Sequence, residues 1–134
     1  MKRAMGIVAV AAVLSTAGIA FAGLKTNAEV TVDTKNRTVF GDLGSTRNSS
    51  NNVEFISVSI EETATGAKQG VSSVTFTAED KNGHFGSCTS TAPNIVAVAK
   101  AMGTDGRIQF NWDANGDCTL VDVILASFSP PKKS

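Results

Sequence analysis

The sequence predicts an α+β domain dominated by antiparallel β-sheet, with about six strands and one short helix near residues 92–102. Two kinds of pattern lead to this prediction. Apolar and polar residues alternate along several short segments, as they do in strands with one buried face. One later segment instead repeats its apolar residues at helical spacing. A β-sandwich that carries a short helix fits the same patterns and is the alternative architecture.

The last hairpin is the most strongly patterned part of the chain. Ile108, Phe110 and Trp112 alternate with polar residues, which predicts a half-buried strand with these three side chains on its inner face. Asn115-Gly116 then favours a tight turn, because this dipeptide readily adopts positive φ angles. The run 118–128 has apolar residues on both faces. We therefore expect a strand that is covered on both sides and lies inside the sheet rather than at its edge.

The remaining strands are expected earlier in the chain, where turn residues separate five short segments. These segments are 29–33, 37–40, 53–62, 73–78 and 84–88. In the segment 53–62, Ile56, Val58 and Ile60 are expected to lie on one face of the strand. The alternation in 73–78 predicts a second buried row, and 84–88 predicts a short return strand.

The segment 89–103 carries the helical pattern. Ser90 or Thr91 can accept hydrogen bonds from the first free amides, and Pro93 suits the first helical turn. The helical spacing predicts one buried face, formed by Ile95, Val98, Ala99 and Met102. Gly103 is expected to end the helix in the left-handed conformation.

The chain begins with the features of a secretory signal peptide. Lys2 and Arg3 precede an apolar run, and Ala20-Phe21-Ala22 has the small-x-small pattern of a cleavage site. The apolar run is shorter than the roughly 20 residues that span a bilayer. We expect residues 1–22 to be removed, which leaves 23–134 as a single exported, disulfide-bonded, β-rich domain without a membrane span. The signal resembles those of exported bacterial proteins, so we expect a periplasmic or extracellular location.

Charge and cysteine content narrow the possible partners and the compartment. Removal of Lys2 and Arg3 leaves two fewer basic than acidic residues. A nearly neutral chain lacks the basic face that nucleic-acid binding needs, so no nucleic-acid partner is expected. Cys88 and Cys118 are the only cysteines. In an exported chain an even count predicts a disulfide, which would stabilise the fold by about 3.5–4 kcal/mol.

The segment 42–52 is the longest polar stretch and the candidate binding loop. It contains no periodic pattern, and its hydrogen-bonding and charged side chains include Asp42, Ser45, Thr46, Arg47 and Asn48. Such a loop can recognise a sugar or a peptide backbone, with Arg47 able to bind a carboxylate through two hydrogen bonds. The alternative is that Arg47 pairs with Asp42 and the loop is flexible.

The residues that could carry catalysis or bind a metal are few. Asp113, Asn115 and Asp117 resemble the start of an EF-hand calcium loop, but Cys118 and Ile124 stand where that loop needs glycine and a carboxylate. A turn explains the same residues, so no metal or cofactor is expected. The single histidine, His84, has no sequence neighbours that complete a catalytic triad, and no catalytic residue is assigned.

Three functions remain open at this point. The favoured one is a non-catalytic exported module that binds an unknown protein or an envelope component. The second is a secreted enzyme inhibitor that presents 42–52 or the 63–70 turn to its target. The third is a small hydrolase or ligand binder that uses His84.

Overall fold

The computed structural model describes residues 28–63 and 70–125. Within them the chain forms seven strands and two short helices. In chain order they are β1 (Thr31–Asp33), β2 (Thr38–Asp42), α1 (Leu43–Arg47), β3 (Phe55–Glu62), β4 (Ser72–Glu79), β5 (Phe85–Ser90), α2 (Pro93–Lys100), β6 (Arg107–Trp112) and β7 (Cys118–Ile124). The predicted signal peptide, residues 1–22, lies outside the described residues.

The strands form two antiparallel sheets. One has four strands in the order β1-β2-β6-β7, and the other has three in the order β3-β4-β5. A single hydrophobic core joins them, with the ring centroids of Phe76 in β4 and Phe110 in β6 5.7 Å apart. The prediction of a mainly antiparallel α+β fold is confirmed, and the two-sheet arrangement is also compatible with the sandwich-like alternative.

Strand β4 shows how the sequence pattern determines the buried face. Val74, Phe76 and Ala78 are fully buried, whereas the residues between them are partly exposed. In β3, Ile56 is buried and Val58 is half-buried, but Ile60 is exposed. The expectation that the three residues share one face is confirmed, since they lie opposite Ala78, Phe76 and Val74 of β4. Ile60 is exposed because it lies near the end of a strand that has a neighbour on only one side.

Trp112 occupies the end of the central strand β6. Ile108 and Phe110 are fully buried as expected, while Trp112 is half-buried and follows a register shift at Asn111. Its ring lies 6.0 Å from that of Phe110 between centroids. The ring also covers Gly86 of β5, where a Cβ would lie only 2.8 Å from Trp112 Cη2. Gly86 thus allows close contact between the two sheets.

Strand β7 differs from its prediction. It lies at the edge of the four-stranded sheet, and Leu120, Ile124 and the adjacent Leu125 are exposed. It ends at Ile124, and Phe128 is outside the described residues. Apolar residues on both faces of a strand do not establish that both faces are covered, because the cover is supplied by elements distant in sequence.

Helix α2 begins at Pro93 as expected, and its buried face agrees with the prediction except at Val98. Ala99 is buried, and Ile95 and Met102 are partly buried against the core. Val98 is exposed, and Val96 is buried instead. The residue before the helix, Ala92, provides no side-chain cap, although its N–H donates to Ser90 Oγ. The helix ends at Lys100, and Gly103 does not adopt a positive φ angle. The prediction of a left-handed Gly103 is therefore wrong.

The disulfide between Cys88 and Cys118 is present, with an S–S distance of 2.01 Å. It connects β5 of one sheet to β7 of the other. Beside it, the Thr89 N–H donates to the Gly116 carbonyl at 3.0 Å. The two sheets are thus joined both covalently and by a backbone hydrogen bond, and the disulfide is consistent with an oxidising compartment.

Candidate functional site

The predicted binding loop begins with a short helix, so the expectation of an irregular loop throughout 42–52 is wrong. Asp42 is fully buried, and its Oδ1 accepts hydrogen bonds from the N–H groups of Gly44 and Ser45, both at 3.0 Å. This is the usual arrangement of an aspartate that caps a helix N-terminus. Asp42 therefore holds α1 in place and is not part of a recognition surface.

The neighbouring hydroxyl groups also bind within the fold. Ser45 Oγ accepts a hydrogen bond from the Ala28 N–H at 3.2 Å, and Thr46 Oγ1 donates to the Asp42 carbonyl at 2.8 Å. Asn48 follows the helix, and its N–H donates to the carbonyls of Gly44 and Ser45. These bonds fix the segment to the sheet.

Arg47 pairs with a residue that the sequence did not indicate. Its Nη1 lies 3.1 Å from Asp105 Oδ1, and both side chains are about one-third exposed. An ion pair so exposed contributes about 0–1 kcal/mol, so a partner can replace it at little cost. The expected alternative, pairing with Asp42, is wrong. The cation near Asp42 is Arg107, whose Nε lies 4.0 Å from Asp42 Oδ2 and whose guanidinium stacks on Phe40.

The rest of the segment leads into β3 through a series of local hydrogen bonds. Asn51 Oδ1 accepts from the N–H groups of Val53 and Glu54. Glu54 is buried, and its Oε1 accepts a 2.7 Å hydrogen bond from the Val30 N–H. The path of the chain between α1 and β3 is therefore fixed by side-chain acceptors.

A groove of about 230 Å³ lies between α1 and the start of β3. It is lined by Leu43, Thr46, Arg47, Glu54, Phe55 and Ile56. Phe55 is 36% exposed, and the preceding Val53 is 45% exposed. Sequence reasoning identified Thr46 and Arg47 but missed the apolar wall. In the sequence, Phe55 stands next to Ile56 and so interrupts the alternation of apolar and polar residues along 53–62, a feature that is equally typical of a β-bulge.

A second groove, of about 400 Å³, lies between α2 and the start of β4. Its walls are mainly apolar and are formed by Val71, Ser72, Thr91, Pro93, Val96, Ala97 and Lys100. Lys100 forms an ion pair with Glu62 at the end of β3. Residues 64–69, within the 63–70 turn considered for inhibition, lie outside the described residues.

His84 is hydrogen-bonded to a buried carboxylate. Its Nδ1 lies 2.9 Å from Asp80 Oδ2, and its side chain is 56% exposed. Burial acts to raise the pKa of Asp80, but hydrogen bonds from the His84 ring and from the N–H groups of His84 and Asn82 outweigh it and lower the pKa. Ser87, the nearest candidate nucleophile in sequence, donates its hydroxyl hydrogen to the Phe76 carbonyl.

The weak metal candidates lie in the β6–β7 turn. Asp113 Oδ1 accepts from the N–H groups of Asn115 and Asp117, and these two hydrogen bonds lower the pKa of Asp113. Gly116 has the positive φ angle expected of the turn, 85°. In residues 28–63 and 70–125, no group of three or more His, Cys, Asp or Glu side chains converges as a metal site would require.

Neither helix in the described part of the chain has the length and apolar character needed to cross a membrane. Comparison of the chain with protein-family models, curated proteins and solved structures gives no match.

Proposed function

We propose that residues 23–134 form an exported, non-catalytic module that binds another protein, in the periplasm or outside the cell. The predicted signal peptide and the Cys88–Cys118 disulfide support export. Intact-mass measurement of the secreted protein should give a chain that begins at Gly23.

The observation that supports binding is the groove between α1 and β3 together with the apolar side chains beside it. Phe55 and Arg47 line the groove, and Val53, two residues before Phe55 in the chain, is also exposed. Aromatic and arginine side chains are enriched among the residues that contribute most to protein–protein affinity. The groove is also rigidly supported, because Asp42 caps α1 and Glu54 binds the backbone of Val30. A preorganised surface loses less entropy when a partner binds.

Affinity capture from the envelope fraction of the producing cell, with immobilised residues 23–134, tests this proposal. Phe55→Ser and Arg47→Ala should each reduce the amount of captured partner at least about tenfold, the effect of losing about 1.4 kcal/mol of binding free energy. Val71→Ser is the matched control, since Val71 is an exposed apolar residue of the second groove. Capture that depends on Val71 but not on Phe55 or Arg47 would contradict the proposed surface.

A further inference from the structure

Three residues form a row across the outer face of the three-stranded sheet. Phe55 lies opposite Glu79 in the β3–β4 pair, and Glu79 lies opposite Phe85 in the β4–β5 pair. Opposed residues share a face of the sheet, with Cβ atoms about 4.5–5.5 Å apart. Phe85 is 52% exposed, more than Phe55. The row therefore presents two accessible aromatic side chains with a carboxylate between them.

The carboxylate of Glu79 forms no hydrogen bond or ion pair with any other residue of 28–63 and 70–125. Lys81, two residues further along the chain, is paired with Glu29 at 2.7 Å. Glu79 Oε1 lies 3.8 Å from the position that a Cβ on Gly83 would occupy, and Gly83 is in the β4–β5 turn. The negative charge is therefore available at the end of the sheet that carries Phe55 and Phe85.

The next rows of the same face are uncharged. They consist of serine and threonine residues: Ser57, Thr77 and Ser87 in one row, and Ser59, Thr75 and Thr89 in the next. Two pairs of these hydroxyl groups bond to each other, Thr75 with Thr89 at 3.1 Å and Thr77 with Ser87 at 3.4 Å. Glu61 is the next carboxylate along β3, at the far end of the strand. On this face of the sheet, the residues paired with Glu79 and those in the next two rows are therefore apolar or carry hydroxyl groups.

We propose that the Phe55–Glu79–Phe85 row binds an arginine or lysine side chain of the partner protein, an inference that rests on the function proposed above. The apolar stem of such a side chain packs against the phenyl rings, and its charged end meets the Glu79 carboxylate. The faces of the rings add a cation–π attraction. Phe55 also lines the groove beside α1, so the row and the groove form one continuous surface.

Electrostatics favour a cationic occupant over an uncharged one. A partner that covered the two rings with apolar groups alone would also remove water from Glu79 without replacing its hydrogen bonds. Burial of an unpaired charge is strongly unfavourable. A guanidinium or ammonium group compensates for this loss, so complementary charge selects the partner as well as attracting it.

A library of random twelve-residue peptides displayed on phage, selected against immobilised residues 23–134, tests the inference. Selected peptides should carry arginine or lysine beside an apolar residue. A synthetic peptide from that set should bind Glu79→Gln at least tenfold more weakly than the wild type, and Phe85→Ala should lose affinity to a similar extent. Glu61→Gln is the matched control, because it makes the same substitution on the same face. Thermal melts should confirm that all variants are folded.

The possible results separate this inference from the proposed function. Peptides without a basic residue, whose binding falls in Arg47→Ala but not in Glu79→Gln, would overturn the cation site and leave the groove as the binding surface. Equal loss in Glu79→Gln and Glu61→Gln would also overturn it, since the effect would then be one of overall charge. A library that yields no enriched peptide would overturn it as well. The proposed function has a separate test, the envelope capture, and it would fail if capture depended on Val71 but not on Phe55 or Arg47.

Discussion

His84 Nδ1 and Asp80 Oδ2 lie 2.9 Å apart at the end of the β4–β5 hairpin, with the histidine mostly exposed and the aspartate mostly buried. The same carboxylate accepts two backbone hydrogen bonds within the turn, from Asn82 and His84. The pair therefore connects the geometry of an exposed turn to the protonation state of a buried group.

This pair predicts a loss of stability in acid. The pKa of Asp80 is lowered in the folded protein, so its ionised form stabilises the fold. That contribution is complete above the unfolded pKa, about 3.9, and is lost as the pH falls through the lower folded pKa. The free energy of unfolding should fall more between about pH 4 and pH 2 in the wild type than in Asp80→Asn.

Urea melts at several pH values across this range measure the free energy of unfolding of the wild type and of Asp80→Asn. Asp122→Asn is the control, because Asp122 is exposed. Parallel profiles for wild type and Asp80→Asn would contradict the prediction.

Trp112→Ala should destabilise the protein more than His84→Ala. Truncation of a buried tryptophan costs about 3–5 kcal/mol. Because Trp112 is only partly buried, the destabilisation caused by Trp112→Ala should lie near the lower limit of this range. His84 is exposed and loses only its hydrogen bond to Asp80. Thermal melts of both variants measure the difference, with Trp112→Phe as an intermediate. An unchanged melting temperature for Trp112→Ala would mean that the ring does not support the core.

Gly86→Ala should destabilise the fold by about 1–3 kcal/mol, the usual cost of overpacking. The added methyl group would lie 2.8 Å from Trp112 Cη2 and 2.9 Å from Cγ2 of the fully buried Val39. Gly103→Ala is the control, because its nearest contact would be an ordinary 3.6 Å from Leu125. Equilibrium unfolding of the two variants should separate them clearly. Equal stability would show that Trp112 moves aside without cost.

Reduction of the disulfide should lower the free energy of unfolding by about 3.5–4 kcal/mol. Cys88 and Cys118 are 30 positions apart and connect the two sheets, so their bond restricts the unfolded chain. Free-thiol titration of the native protein should find no reactive thiol, and denaturant melts with and without reductant measure the loss. A Cys88→Ser/Cys118→Ser variant as stable as the oxidised wild type would contradict this expectation.

The predicted binding loop and the groove beside α1 share only part of their residues. Thr46 and Arg47 do line a groove, but Asp42 is a buried cap and the apolar wall comes from Phe55 and Ile56. Polar composition alone does not distinguish a capped helix from an open loop, since aspartate and serine favour both. The row of Phe55, Glu79 and Phe85 was not predictable, because it depends on the registers of two strand pairs.

The sequence by itself determined the features that depend on local periodicity and residue chemistry. These are the antiparallel strands, the buried row of β4, the turn at Asn115-Gly116 and the disulfide. Such features follow from the alternation of side chains along a strand and from the intrinsic preferences of glycine, asparagine and paired cysteines. They need no knowledge of which strands become neighbours.

Only the tertiary structure decided which surfaces remain uncovered. In the folded protein β7 lies at an edge of its sheet, and α1 lies beside β3. In α2, Val96 is buried and Val98 is exposed. The physical reason is that burial of an apolar face depends on what packs against it, and that partner lies far away in the chain. For the same reason, the exposed Phe55 and Phe85 became candidates for binding only after the sheets were assembled.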